Sequence, residues 1–205
     1  SVVLGLQCLW AARSRRRRGQ GPLCCLSDDS LSLSTMSGLL SRCLSLLCLL
    51  LQRIPHRIMA LDGLVTLRIA AGRAVSFAVT DSGALFSWGQ GDRTGHGDIE
   101  EAVLEPRRVA ALTEHVADVA ASSCHTMVVG ARGQLWTFGL NNEGQLGTGD
   151  EEHRRSPHLV TSFPPGERVV QAAAGCGHSL ALMESGAVYS WGEGRFGQLG
   201  HGDRE

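Results

Sequence analysis

GAVYSWGEGRFGQLGHGD, residues 186–203, decides the reading because it recurs. The same order of residues stands at 133–150 as GQLWTFGLNNEGQLGTGD and at 83–98 as GALFSWGQGDRTGHGD. The leading glycines Gly83, Gly133 and Gly186 are 50 and 53 residues apart. The second and third copies share eight of 18 positions without a gap, where chance gives roughly one. The first copy is two residues shorter between Trp88 and Asp98. The likeness continues upstream at the same spacing, as IAAGRAVSFAV at 69–79, VAASSCHTMVV at 119–129 and AAAGCGHSLAL at 172–182. A unit of about 50 residues exceeds the shorter solenoid periods and suits one blade of a β-propeller.

Each unit parses into four short strands. The first is a small-residue run such as Asp118 to Ala121, and the second runs as His178 to Leu182. The turns DSG, ARG and ESG follow, with a glycine able to take the positive φ of a tight hairpin. The third strand, such as Ala187 to Trp191, ends at a W-G or F-G step: Trp88-Gly89, Phe138-Gly139, Trp191-Gly192. A glycine-rich loop leads to a fourth strand, placed at Arg107 to Ala110 and His158 to Thr161, with Pro106 and Pro157 just before it. LFSW and LWTF do not alternate cleanly, which fits strands buried on both faces. Trp88, Phe138 and Trp191 share one repeat position and are expected to fill the space between blades, while paired alanines line a crowded inner strand.

Composition agrees with this. Glycine is abundant, at 26 residues of 205, and regular glycine punctuation marks tight turns rather than a helical bundle. Charge divides the chain. Residues 1–63 carry eight Arg against three Asp, and residues 64–205 carry 11 Arg against 17 acidic residues. An acidic repeat region is a poor match to phosphate backbones, so direct nucleic-acid binding is not expected of it. No C-x-x-C pair occurs, which gives zinc no foothold. Only Cys124 and Cys176 of the seven cysteines lie within the repeats, and a reducing compartment is expected for them.

The domain reading is an N-terminal extension at 1–60, largely disordered, followed by repeats at 64–205. The copies run about 64–112, 113–163 and 164–205, the last incomplete. RSRRRR at 13–18 reads as a solvated run or as a nuclear or anionic-surface signal. MSGLLSRCLSLLCLLLQRI at 36–54 contains an uncharged run of only ten residues, Cys43 to Gln52. A spanning helix needs about 20, so the stretch reads as a short apolar helix near 38–54 or an organelle-targeting segment. Met59 is a second candidate start. The expected location is cytoplasmic or nuclear, with organelle targeting through 36–54 as the alternative, and a membrane is not expected for the repeats.

AAGCGHSLAL at 173–182, SGAVYSWG at 185–192 and GQLGHGD at 197–203 resemble the regulator of chromosome condensation repeat family, over about residues 64–205. The resemblance implies an all-β fold: about three blades of an incomplete seven-bladed propeller, with an irregular or helical N-terminal segment. It also implies a protein-interaction platform within a longer regulatory protein, either a GTPase regulator or a HECT-type ubiquitin ligase. The alternative it implies is guanine nucleotide exchange on a Ran-like small GTPase. The partners so implied are a small GTPase or a ubiquitin-pathway protein. Plant ultraviolet-B receptors share the propeller, but their G-W-R-H-T motif is matched here by GRAVS, SSCHT and GCGHS, without tryptophan. Val75 stands where the other copies have His125 and His178.

No catalytic centre is expected. Gly192, Gly194 and Gly197 satisfy G-x-G-x-x-G but lead into QLGHGD, so no helix N-terminus would receive a pyrophosphate, and no cofactor is expected. His125 and His178 are a full repeat apart, which favours hydrogen-bonded structural roles over metal ligation. His96 and His201 alternate with Thr148 and read as surface loop residues. Asp98, Asp150 and Asp203 read as caps on their own turns.

Overall fold

The computed structural model describes residues 54–98 and 101–203. The run at 13–18 and the expected apolar or targeting segment up to residue 53 lie outside the described residues. One compact unit runs from Ile58 to Glu205. It is all-β, with no α-helix among the described residues and single 3-10 turns at Met59–Leu61 and Gly91–Arg93.

Three antiparallel sheets follow one another along the chain. The first contains β1 (Thr66–Ala71), β2 (Val75–Thr80), β3 (Leu85–Gly89) and β4 (Val103–Arg108). The second contains β5 (Val116–Ala121), β6 (His125–Gly130), β7 (Leu135–Gly139) and β8 (Arg154–Leu159). The third contains β9 (Val169–Ala174), β10 (His178–Met183) and β11 (Val188–Gly192). Within every sheet each strand pairs with its neighbours in sequence. The first strands β1, β5 and β9 lie side by side, and β2 and β6 lie against the first strand of the next sheet. The sheets therefore converge along their first strands. Ala70, Ala71, Ala120, Ala121, Ala173 and Ala174 occupy these strands, where a larger side chain would force the sheets apart.

The sequence repeat becomes a repeat of cross-strand pairs. Ser76 lies opposite Trp88, Thr126 opposite Phe138 and Ser179 opposite Trp191. One residue earlier on the second strand, Val75, His125 and His178 face Gly89, Gly139 and Gly192. These three glycines have φ of 114°, 119° and 100°, a region that side chains with a Cβ seldom enter. A Cβ on Gly139 would also stand 2.6 Å from the Cys124 carbonyl. In the first two sheets the register to the fourth strand shifts just before this glycine. The W-G and F-G steps are thus the kink at which the third strand leaves the sheet.

The fourth strands start earlier than the sequence suggests. β4 and β8 contain Pro106 and Pro157 rather than following them. Both are outermost strands of their sheets, and an edge strand can spare the missing N–H on its outer side.

The core lies between sheets. On β6, Val128 packs into one cluster with Phe77, Val79, Leu85 and Phe138, while Met127 and Val129 pack into another with Leu135, Ala181 and Met183. All six β6 residues are buried, as a strand covered on both faces requires. The outward faces of the end sheets differ. Ile69 is 78% exposed, whereas Val119 at the same repeat position of the second sheet is 7% exposed.

Candidate functional site

The strand-one-to-strand-two turns and the long loops after strand three share one end of the sheets, because their backbones bond one another. Gln90, Leu140 and Glu193 donate to the carbonyls of Ala74, Cys124 and Gly177. This end carries the longest and most varied loops, so it is the candidate site.

Each loop is tied to its strand by the hydroxyl before the aromatic residue. Ser87 donates to the Thr94 carbonyl at 2.6 Å, Thr137 to Leu146 at 2.8 Å and Ser190 to Leu199 at 2.7 Å. His96 and His201 reach Ser87 and Ser190 through Nε2, at 3.1 and 2.8 Å. They are therefore anchored to the sheet, and His96 is half-buried with its pKa lowered, chiefly by burial. These hydroxyls carry no motif of their own in the sequence. Only their constancy as Ser or Thr across three copies could have marked them.

The loop of the second sheet is the most fully bonded. Asn141 is fully buried. Its Oδ1 accepts from the Leu146 N–H at 2.8 Å and its Nδ2 donates to the Asp150 carbonyl at 2.7 Å. Asp150 accepts from the Glu152 N–H and from Thr148, and Arg154 pairs with it at 2.7 Å. These contacts, the Glu152 N–H first among them, lower the Asp150 pKa. Near the tip, Gln145 Oε1 accepts from the Glu143 N–H at 2.9 Å. The third sheet repeats this bond, with Gln198 Oε1 and the Phe196 N–H at 2.8 Å. One rigid frame therefore presents different residues. Glu143 is exposed in one copy, and Phe196, 87% exposed, stands at the matching tip of the next. Arg195 reaches back to Glu143 at 3.4 Å.

Beneath the loops, adjacent sheets are joined by side chains of the repeat. His125 and Ser179 are 2.7 Å apart, and the Ser179 hydroxyl donates to the Gln145 carbonyl at 2.7 Å. Ser179 has one proton to give, so His125 Nε2–H is the donor to it. Burial, then the charge of His178, lowers the His125 pKa to about 4, and the ring is neutral at pH 7. Trp191 Nε1 donates to the same Gln145 carbonyl at 2.9 Å. Phe138 meets Phe77 edge-on, with ring centroids 5.9 Å apart. Gly83 abuts His115 and Gly133 abuts Arg168, each against the segment that opens the next sheet. Trp88, His178 and Gly186 hold the corresponding positions at the two ends of the array. His178 is partly exposed, and nothing stands within 4 Å of a Cβ built on Gly186.

A cleft of about 650 Å³ runs between the loop of the second sheet and β11, lined by Glu143, Asp150, Phe163, Tyr189 and Trp191 among others. It lies beside β11, the outermost strand of the third sheet. Among the described residues no group of three His, Cys, Asp or Glu side chains converges on a metal position. Among them, too, no helix is long and apolar enough to cross a membrane.

The repeat geometry has a counterpart in known proteins. The model described as the regulator of chromosome condensation (RCC1) repeat matches residues 82–129 and 132–182, and a second of the same description matches 116–145 and 169–198. This chain belongs to the regulator of chromosome condensation family. The E3 ubiquitin-protein ligase HERC2 of Homo sapiens is 38% identical over 158 residues, 74% of this chain and 3% of its own length. The ultraviolet-B receptor UVR8 of Arabidopsis thaliana is 36% identical over 73% of this chain and 34% of its own. The crystal structure of Prp20p from Saccharomyces cerevisiae, described with its binding to Gsp1p and histones, aligns with TM-score 0.59 and 26% identity. That alignment covers 67% of this chain and 35% of Prp20p. The chain therefore spans 3% to 35% of these relatives' lengths.

Proposed function

We propose that these repeats form a protein-binding module of a longer regulatory protein, with the loop end as the recognition surface. The observation that carries the reading is the shared frame with unlike tips. Gln145 and Gln198 hold identical turns, yet one displays Glu143 and the other Phe196. Rigid scaffolds with variable loop tips suit partner recognition, and phenylalanine and arginine are both enriched at protein interfaces. The likeness to HERC2 supports a ubiquitin-ligase setting, and the likeness to Prp20p supports a small GTPase as partner.

The test is calorimetric titration of the purified chain against candidate partners, starting with a Ran-like GTPase and ubiquitin-conjugating proteins. Phe196→Ala should weaken binding by about 30-fold or more, since hot-spot truncation costs about 2 kcal/mol or more, and should leave the melting temperature unchanged. Equal affinity for Phe196→Ala and wild type would discard the loop end as the surface. The second reading, nucleotide exchange on a Ran-like GTPase, rests on the Prp20p likeness. It requires faster release of a fluorescent guanine nucleotide when the module is added, and an unchanged release rate removes it.

A further inference from the structure

We propose that Cys124 and Cys176 form a reversible disulfide that fastens the second sheet to the third, making this junction a site of oxidative modification. The two residues lie in the strand-one-to-strand-two turns of successive sheets, at the loop end. Their sulfurs are 3.8 Å apart, in van der Waals contact. A disulfide needs about 2.05 Å, an approach of roughly 1 Å by each sulfur. Ser123 touches both, at 3.5 Å from Cys124 Sγ and 3.1 Å from Cys176 Sγ.

The turns themselves are held. The Ser122 N–H donates to the His125 carbonyl and the Gly175 N–H to the His178 carbonyl, both at 2.9 Å. Arg93, from the loop of the first sheet, donates to the Ser123 carbonyl at 2.5 Å. The sulfurs are therefore kept close by backbone that does not depend on them. Both thiols are free, Cys176 exposed and Cys124 half-buried. The pair is not a demand of the repeat. The positions of Cys124 and Cys176 are taken by Ala74 and Arg73 in the first copy, and by Gly177 and Ser123 in the copies that lack each cysteine. No equivalent pair spans the junction of the first and second sheets.

The chemistry needs a disulfide oxidant such as oxidised glutathione. The exposed Cys176 thiolate attacks it, forming a mixed disulfide and releasing one glutathione thiolate. Cys124, as thiolate, then attacks the Cys176 sulfur, the mixed S–S bond breaks, and a second glutathione thiolate leaves. The two protons from the protein thiols end on the two glutathiones. The protein has lost two electrons and the oxidant has gained them.

The test equilibrates the full folded chain in glutathione buffers of graded ratio, traps thiols by alkylation and maps tryptic peptides. Arg132, Arg154, Arg155 and Arg168 lie between the two cysteines, so trypsin separates them unless sulfur joins them. The expected result is a Cys124–Cys176 linked peptide pair that disappears in reducing buffer, alone among the seven cysteines in its yield. A chain with Cys8, Cys24, Cys25, Cys43 and Cys48 changed to Ser should give the same pair. Oxidation should raise the urea midpoint of wild type, and Cys124→Ser should abolish that rise. The proposal fails if the folded chain leaves both thiols alkylatable, carries only separate glutathione adducts on them, or links them to upstream cysteines. It fails equally if the linked form has the same urea midpoint as the reduced form.

Discussion

Gly144 and Gly147 share a φ of 71° but not their surroundings. Gly144 has open space where a Cβ would go, whereas a Cβ on Gly147 would stand 2.8 Å from Trp191 Nε1. Gly144→Ala should therefore cost about 1 kcal/mol, the strain of a left-handed backbone alone. Gly147→Ala should cost about 2–3 kcal/mol, because the indole must also give way. Urea unfolding of the two variants separates backbone strain from packing, and equal losses would show that the contact is slack. His125 gives a second prediction at this scale. Its pKa falls from 6.5 to about 4 on folding, so the unfolded chain binds a proton that the folded chain refuses. Stability from this group is full above about pH 6.5 and falls as the pH drops toward 4, by about 3 kcal/mol. His125→Gln, which keeps a donor for Ser179, should flatten that part of the pH profile in urea titrations.

Elements show what could be read beforehand. The near-continuous apolar run LWTF announced the largely buried β7, whereas LFSW became β3, whose residues alternate between buried and half-buried in the end sheet; the repeat spacing set the order of sheets. The fourth strands were harder. Their edge position lets Pro106 and Pro157 sit inside them, so proline marked no boundary. The contacts that fix the loops were hidden for another reason. Ser87, Thr137 and Ser190 bond backbone carbonyls nine or fewer residues away, and a serine in a strand has no sequence feature that reports such a partner. Asn141, which stands where the third copy has Gly194, likewise belongs to no motif, yet it holds the loop of the second sheet. Asn141→Ala should strand the Leu146 N–H and the Asp150 carbonyl inside the loop and cost about 1–3 kcal/mol. Faster amide exchange confined to residues 141–150 would mark the effect as local, and unchanged exchange there would assign the loop's order to other bonds.

At the scale of the whole molecule, repeat architectures have a stability that is approximately a sum over the junctions between their units. Phe138 lies at the first junction and is fully buried, so Phe138→Ala should cost about 3–5 kcal/mol. A linked Cys124–Cys176 pair would act on the second junction, closing a loop between residues 52 apart in sequence. The chain-entropy account gives such a loop about 4 kcal/mol. If the junctions behave independently, oxidation should offset most of the Phe138→Ala loss in a global unfolding experiment, yet leave exchange at the first junction fast. Uniform protection on oxidation would instead show that the three sheets unfold as one. The sequence could not pair these cysteines, since proximity across two copies depends on how neighbouring turns stagger.

Gly95 would meet Phe138 and Gly147 would meet Trp191 if either carried a Cβ. Every sheet thus bears a plug, its aromatic ring, on one side and a socket, its loop glycine, on the other. Gly200, the last socket of the described residues, has nothing within 4 Å of it. Such an array has polarity. Two sockets cannot mate and neither can two plugs, so this contact can be extended only head to tail and never about a two-fold axis.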